Sequence, residues 1–164
     1  MNSELENERN EGGVFLCWSC RRTQVCRLGV TTERLGDDGR VYFEAMCPPF
    51  YEGGPGVAAG GWTAEVMDET IGRVPMAYKQ TTVTGTLNVR YVKPVPIEHP
   101  LQATAWVDRI EGRKWFVSGE LVLASSSAVL ATASAIMIAR EKDSHFREFQ
   151  NWMGQQGANG ARET

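Results

Sequence analysis

Four consecutive segments in the second half of the chain have the residue pattern of β-strands, and turn-like residues such as Glu111-Gly112 separate them. Connections this short favour antiparallel neighbours, because two parallel strands need a crossover of about a dozen residues or more. The sequence therefore predicts an antiparallel meander with strands at 81–92, 101–110, 114–124 and 129–139.

A strand and a long helix are predicted before this meander. Residues 40–46 have β-branched and aromatic character, and Pro48-Pro49 ends that strand. A glycine-rich loop at 53–56 follows, and residues 57–72 then show helical periodicity. One early helix and about five strands indicate an α+β fold, with the helix packed on one face of a curved antiparallel sheet.

A chain of 164 residues favours a single domain. Residues 1–13 contain four glutamates and almost no apolar side chains, so we expect a disordered acidic tail there and a single domain over 14–153. Residues 154–164 are rich in Gly, Gln and Asn, which predicts a second disordered tail. Just before it, residues 142–153 predict an amphipathic helix that packs on the domain or on a neighbouring subunit, with Phe146, Phe149, Trp152 and Met153 at helical spacing.

Composition and charge exclude several classes of protein. With 42% hydrophobic and 23% charged residues, the chain has the composition of a soluble globular domain. A net charge of −3 gives no overall positive field for nucleic acid or an anionic membrane. No apolar run reaches the roughly 20 residues of a spanning helix, and the acidic start is unlike a signal peptide. We therefore expect a cytoplasmic protein with neither nucleic acid nor membrane as a partner.

Four cysteines, at positions 17, 20, 26 and 47, are expected to be free thiols. Cys17 and Cys20 have the spacing of half a zinc knuckle, but a second pair is missing and the two histidines are far away in the sequence. A four-thiolate zinc site remains an alternative. A CxxC redox pair is less favoured, because no βαβ pattern surrounds the motif.

The predicted helix places one carboxylate among small and aliphatic residues. Asp68 shares a stripe with glycine, alanine and aliphatic side chains, whereas Glu65 and Glu69 lie beside that stripe as solvated charges. Asp68 should therefore be partly withdrawn from water, near a helix end whose dipole disfavours an anion. This pattern fits a carboxylate with a catalytic or binding function. It fits equally well a carboxylate that only accepts a hydrogen bond from a backbone N–H or a neighbouring side chain. The stripe consists of Val57, Gly60, Gly61, Ala64, Asp68 and Ile71, with Met67 at its edge.

Gly60 and Gly61 lie near the start of this helix. The first N–H groups of a helix have no acceptor within it, and they lie at the positive end of its dipole, where a developing oxyanion could be held. Two glycines also permit close packing of the backbone, so the pair alone does not separate these interpretations.

Three stretches resemble the hot-dog-fold thioesterases, particularly the PaaI-like acyl-CoA thioesterase group. The first is the segment from Cys17 to Cys20 with the RLGV that follows. The second is YEGGPGVAAGGWTAEVMDETIG, which contains Gly-Gly followed seven residues later by aspartate. The third is TGTLNVRYVKPVP from Thr84 onward, and ATASAIMIAR in the last strand also suits the pattern. The resemblance implies a hot-dog fold, hydrolysis of an acyl-CoA thioester, no metal or redox cofactor, and a site between the subunits of a homodimer or a dimer of dimers.

The resemblance also implies roles for individual residues. Asp68 matches the catalytic carboxylate, either as general base or as nucleophile, and the N–H of Gly61, with that of Gly60, matches the oxyanion hole. Thr84 matches a hydroxyl position that helps place the attacking water. Strict alternation along 81–92 puts Thr84 on the polar side of its strand, so an ordinary sheet threonine is an equally good interpretation.

Two departures from the family pattern support other functions. Ala59 stands where the family often has histidine, and Gly53 stands where a polar side chain is common. A non-catalytic acyl-CoA or lipid-binding hot-dog protein is the first alternative. A dehydratase or hydratase is a second, disfavoured because no histidine lies near the helix. A zinc-dependent interaction module built on the cysteines is a third.

The phosphates of a CoA substrate require local cations on a net-negative protein. Arg90 and Lys93 flank the end of one predicted strand, Arg113 and Lys114 open another, and Arg73 follows the helix; each also fits a solvated surface charge. Aromatic side chains are candidates for an acyl pocket, although packing in the core explains them as well. These aromatics are Trp62, Trp106, Trp115 and Phe116.

Overall fold

The computed structural model of the chain describes residues 8–142 and 144–160. It has the predicted α+β architecture, in which one long helix packs on a curved antiparallel sheet. The elements are α1 (Trp18–Arg21), β1 (Val30–Leu35), β2 (Val41–Met46), a 3-10 turn (Pro49–Tyr51), β3 (Glu52–Gly54), β4 (Val57–Ala58), α2 (Gly60–Ala77), β5 (Thr82–Tyr91), β6 (Pro100–Glu111), β7 (Lys114–Leu123), β8 (Ala128–Ala139) and α3 (Ser144–Gly160).

The main sheet has six strands in the order β1-β2-β6-β7-β8-β5, and every neighbouring pair is antiparallel. All five predicted strands are present, but the meander is confirmed only for β6, β7 and β8. Strand β5 does not pair with β6, its neighbour in sequence, and instead pairs with β8 at the edge of the sheet. The sequence missed β1, because its residues are mostly polar and lie at the other edge of the sheet. It also missed the hairpin of β3 and β4, which lies in the predicted glycine-rich loop. The second edge of the sheet is β5, which pairs with β8 on one side.

The buried face of helix α2 overlaps only one side of the stripe that the sequence indicated. Ile71 of the stripe and Met67 at its edge are buried, together with Trp62 outside it. Gly60 and Gly61 of the stripe are exposed. The physical reason is area, since large apolar side chains remove far more surface from water than glycines do. Helix α2 is therefore oriented with its large apolar side chains toward the sheet, and the small residues of the predicted stripe lie at the side of the helix.

A β-bulge in β5 reverses the alternation that the sequence suggested. Thr84 pairs with Met137 and Thr86 pairs with Ile136, so Gly85 is the extra residue. Met137 is buried beneath the helix, which places Thr84 on the helix-facing side. Strict alternation would have turned Thr84 to the opposite face. The bulge thus brings one hydroxyl of the strand under α2.

Parts of the two predicted disordered tails lie within the described residues and have defined structure there. Residues 1–7 and 161–164, which belong to the same predictions, lie outside the described part. Arg9 forms a β-bridge with Phe15 and an ion pair with Glu33 at 3.2 Å. Helix α3 continues through residues 154–160, which were expected to be disordered. Its apolar side chains do not pack on the domain in this chain. Phe146, Phe149, Trp152 and Met153 are all exposed.

Candidate active site

A carboxylate and a hydroxyl meet between the central helix and the edge strand. The Thr84 hydroxyl on β5 donates a hydrogen bond of 2.9 Å to Oδ1 of Asp68 on α2. Asp68 is half-buried, as the sequence indicated. Both residues line a groove of about 280 Å³ that also contacts Gly72 and Met137. The carboxylate is therefore held in one orientation and open to a small molecule.

The other two carboxylates of this helix are engaged by arginines. Arg73 binds Glu69 at 2.7 Å, and Arg27 binds Glu65. The expected solvated charges are thus ion-paired. Within residues 8–142 and 144–160, Asp68 forms no ion pair, which leaves its carboxylate as the helix anion available for chemistry.

The start of α2 presents backbone donors to an open surface. The N–H groups of Trp62 and Thr63 donate to the Ala59 carbonyl at 3.0 and 3.4 Å, and those of Gly60 and Gly61 precede them, where a helix offers no carbonyl one turn back. A Cβ added at Gly61 would meet nothing within 4 Å. Space for a ligand therefore lies directly beside this helix start.

Tyr91, at the end of β5, is a residue of this site that sequence reasoning missed. Its hydroxyl donates to the Gly60 carbonyl at 2.9 Å, and its ring lies over Gly60. An aromatic residue at the end of a strand is too common to be a signal by itself. Only the antiparallel course of β5 beneath α2 brings this ring to the helix start.

Asp68 and Gly61 lie at separate places on the same helix. Seven residues of helix correspond to about 10 Å along its axis, at 1.5 Å per residue. A general base and an oxyanion donor must each approach the reacting group within about 3 Å. The two groups of one chain therefore do not converge on one carbonyl.

The two departures from the family pattern are in contact with each other. A Cβ built on Gly53 would lie 2.8 Å from the Cα of Ala59 and 3.1 Å from its nitrogen. No side chain fits at position 53 while this backbone contact is kept. Positions 53 and 59, which both lack a polar side chain, therefore lie where the β3–β4 hairpin closely approaches the start of α2.

The structure divides the predicted substrate-binding cations between two ends of the sheet. Arg90 and Lys93 are exposed near the Tyr91 end of β5, and Arg113 and Lys114 are exposed at the turn between β6 and β7. Arg90 alternates with Tyr91 and so points to the face away from the helix. Within one chain, these four cations do not surround Asp68.

Arg73 and Trp62 have structural roles instead of the expected binding roles. The Arg73 guanidinium donates to the Phe15 carbonyl at 2.9 Å and pairs with Glu33 and Glu69. Trp62 is 1% exposed, and its indole N–H donates to the Leu28 carbonyl at 3.2 Å. Trp62 is therefore not available to a ligand, whereas Arg73 borders the groove of Asp68 with its guanidinium already held by two carboxylates.

The other aromatic candidates also lie away from Asp68. Trp115 is buried in the core beside Tyr78. Trp106 and Phe116 lie on the face of the sheet that the helix does not cover, where Arg40 stacks on Trp106 and Arg109 stacks on Phe116. The aromatic acyl pocket expected from sequence is therefore not formed by these residues within one chain.

The four cysteines are free thiols, of which Cys20 and Cys47 are buried. In the part of the chain that the structure describes, no three His, Cys, Asp or Glu side chains cluster as a metal site would require. This arrangement gives no support to the four-thiolate zinc alternative.

Comparison with known families finds a match in the central part of the chain. Residues 55–129, which run from the loop before the helix into β8, match the family model described as thioesterase superfamily. This part of the chain is similar to the thioesterase superfamily. A curated relative, acyl-coenzyme A thioesterase THEM4 of Xenopus laevis, is 32% identical over 90 residues, which are 55% of this chain and 40% of that protein. The chain thus spans about two-fifths of the length of the curated relatives that it matches.

Solved structures share the hot-dog fold of this chain. A phenylacetic acid degradation-related protein from Ralstonia eutropha JMP134 superposes with a TM-score of 0.63 at 20% identity, over 75% of this chain and 91% of that one. A thioesterase protein of Streptococcus pneumoniae TIGR4, solved with coenzyme A, gives a TM-score of 0.60 at 16% identity, over 65% and 84%. Variants of the latter with one aspartate or one threonine changed to alanine, sixteen positions apart, have also been solved.

Among the helices in the described residues, none has the length and apolar character needed to cross a membrane.

Proposed function

We propose that this protein is an acyl-CoA thioesterase, which hydrolyses a thioester to free CoA and a carboxylic acid. The hydrogen bond between Thr84 and Asp68 carries the proposal, because it orients an unpaired carboxylate toward an open groove. The names of the relatives support a CoA thioester as substrate. The aspartate and threonine changed in the Streptococcus pneumoniae variants have the same separation, sixteen residues, as Asp68 and Thr84.

The chemistry needs a base and an oxyanion donor. Asp68 removes a proton from a water molecule that attacks the thioester carbonyl, and the Thr84 hydroxyl holds the carboxylate in place. The Gly61 N–H stabilises the negative charge that develops on the carbonyl oxygen. Collapse of the tetrahedral intermediate expels CoA as its thiolate. In the covalent variant, Asp68 attacks the carbonyl itself and water hydrolyses the resulting anhydride. Neither route needs a metal or redox cofactor.

A second copy of the chain supplies the missing half of each site in this proposal. The free edge of β5 is ten residues long, and an unpaired edge is a template for pairing with another strand. Two-fold pairing of β5 with its copy aligns the two α2 helices antiparallel. If they cross near Ala64, midway between Gly61 and Asp68, each Gly61 approaches the Asp68 of the other copy.

The same symmetry brings the divided cations together. Antiparallel pairing puts the Tyr91 end of one β5 beside the Thr82 end of the other. Residue 82 pairs with Ala139, whose N–H donates to the Arg113 carbonyl at 2.7 Å. Arg90 and Lys93 of one copy would then lie at the same end as Arg113 and Lys114 of the other, where they could bind the CoA phosphates.

Release of free thiol from a panel of short, medium, long and aryl acyl-CoAs tests the function. We expect Asp68→Asn to lower kcat by about 10²–10⁴-fold, which is the usual contribution of a general base. The protein should remain folded. Glu65→Gln is the matched control, because it removes a carboxylate of the same helix that is bound to Arg27. If Asp68→Asn keeps the rate of the wild type, the role of Asp68 is wrong.

The contact between Gly53 and Ala59 favours one alternative, a protein that binds acyl-CoA or a lipid without hydrolysing it. Two polar side chains common beside the thioester in the resembling family are absent here, and the backbone leaves no room to restore the one at position 53. Ligand-induced thermal stabilisation without release of thiol would establish this alternative.

A further inference from the structure

The Cys17–Cys20 motif has a geometry that the thioesterase proposal does not use. Cys20 N–H donates to the Cys17 carbonyl at 3.0 Å, so the two cysteines lie on one helical turn. The Cα atoms of residues three apart on such a turn lie within the roughly 4.4–6.8 Å that a disulfide bridges. The Ser19 hydroxyl contacts both sulfurs, at 3.1 Å from Cys17 Sγ and 4.0 Å from Cys20 Sγ. The two thiols are therefore neighbours.

The two sulfurs differ in exposure and in environment. Cys17 is half-buried and accessible, whereas Cys20 is 3% exposed. Burial alone would raise the pKa of Cys17, but hydrogen bonds from Ser19 and Cys20 favour the thiolate, and the net shift of the pKa is downward. Cys20 Sγ accepts the backbone N–H of Arg27 at 3.2 Å. One sulfur is thus suited to attack from solvent and the other to act from beneath it.

The remaining two cysteines have the opposite character. Burial raises the pKa of Cys47 to about 11, and Cys47 is fully buried. Burial also raises the pKa of Cys26. Thiolate chemistry is therefore concentrated at the first pair of the four.

We propose that Cys17 and Cys20 form a redox-active dithiol that a small-molecule disulfide oxidises reversibly to a disulfide. The Cys17 thiolate attacks one sulfur of the small disulfide, forms a mixed disulfide and releases one small thiolate. Cys20 loses its proton to solvent and attacks Cys17 Sγ, which releases the second small thiolate. The protein loses two electrons and two protons, and the small disulfide is reduced to two thiols. Neither cysteine lines the groove that contains Asp68, and the exchange uses no group of the proposed hydrolysis, so the two proposals stand or fall separately.

Equilibration of the full chain with glutathione buffers of increasing disulfide content tests the proposal. After an acid quench, denaturation and alkylation, mass spectrometry counts the remaining thiols. We expect the number of alkylated cysteines to fall from four to two, with peptides that place the bond between Cys17 and Cys20, and excess reduced glutathione should restore all four.

Single serine variants provide the controls. Cys20→Ser should stop at a stable glutathione adduct on Cys17, and Cys17→Ser should form no intramolecular bond. Cys26→Ser and Cys47→Ser should still lose two thiols, as the wild type does. Four alkylated cysteines at every buffer ratio would overturn the proposal, and so would a bond mapped to Cys20 and Cys26.

Discussion

The Thr84 hydroxyl donates to one carboxylate oxygen of Asp68, and this contact joins β5 to α2 beside the groove. A hydrogen bond to a charged group contributes about 1.5–3 kcal/mol. We therefore expect Thr84→Val to lower kcat about ten- to a hundredfold with little change in KM, because it affects the orientation of the base more than the binding of CoA.

Thr84→Ser keeps the donor and is the matched variant for that measurement. Steady-state kinetics with the best acyl-CoA of the panel should give a kcat within about threefold of the wild type, since the hydroxyl is retained and a methyl group is lost. Equal rates for the valine variant and the wild type would show that the threonine is an ordinary residue of the sheet.

The close approach of Gly53 to Ala59 predicts a local effect on stability. The added Cβ of Gly53→Ala would lie 2.8 Å from a backbone atom that cannot rotate away. We expect the free energy of unfolding to fall by about 1–3 kcal/mol, as for other overpacked sites. Gly54→Ala is the control in urea denaturation, because its Cβ would meet nothing within 4 Å. Similar losses for the two variants would contradict the contact.

At the scale of elements, a buried ion-pair cluster fastens the N-terminal segment to α2 and β1. The side chains of Arg73 and Glu33 are 11% and 7% exposed, and Arg73 Nε lies 3.4 Å from Glu33 Oε2 without hydrogen-bond geometry. Glu33 also accepts the Phe15 N–H at 2.8 Å, and Glu69 holds the other side of the guanidinium. The segment before α1 is thus ordered by charges that the sequence alone does not pair.

This cluster predicts that removing the arginine will destabilise the protein. Arg73→Met removes the buried counter-charge of Glu33 and leaves the exposed Arg9 as its remaining partner among the described residues. Loss of one partner of a buried pair costs up to about 3–5 kcal/mol. Urea denaturation should show that loss in the free energy of unfolding. The double variant with Glu33→Gln should lose less than the single variant, because the uncompensated charge is gone. A single variant as stable as the wild type would contradict the cluster.

At the scale of the whole molecule, the proposed sharing of sites between two copies can be tested by complementation. Asp68→Asn lacks the base, and Gly61→Pro lacks the oxyanion donor at a first-turn position where proline is tolerated. Each variant alone should be inactive. Subunits mixed at random should recover about a quarter of the wild-type activity, because half of the dimers are mixed and each mixed dimer has one complete site.

The matched control for complementation is a double variant that carries both changes in one chain, mixed with the wild type. Each mixed dimer in this control also has one Asp68 carboxylate and one Gly61 N–H. If the sites are shared, however, every site in such a dimer lacks either the carboxylate or the N–H. Sedimentation should give a dimer or a larger assembly in all cases. If the sites are shared, this control has only the activity of its wild-type dimers, about a quarter of the wild-type value. An activity of about one half, together with no activity in the first mixture, would place Asp68 and Gly61 of one chain in the same site.

Local patterns in the sequence were enough to place β2 and β5 to β8, because the alternation of residues along a strand and the turns between strands are properties of short segments. The antiparallel order of β6, β7 and β8 follows from their short connections. Helical periodicity drew attention to Asp68 and to the glycines at the helix start, whereas the resemblance to the hot-dog thioesterases implied the role of Thr84. The bonding of Thr84 to Asp68 was not predictable, since it depends on a bulge at Gly85 that the pairing with β8 determines.

The sequence by itself determined the α+β class, five strands of the main sheet and the partial burial of Asp68. The tertiary structure decided which face of α2 is buried, because that choice depends on the total apolar area that the sheet can cover. It also decided which residues have distant partners. Glu69 pairs with Arg73 one turn later in the same helix, but Glu65 pairs with Arg27, and Asp68 accepts the hydroxyl of Thr84. The last two pairings join residues far apart in the sequence, so no local pattern contains them.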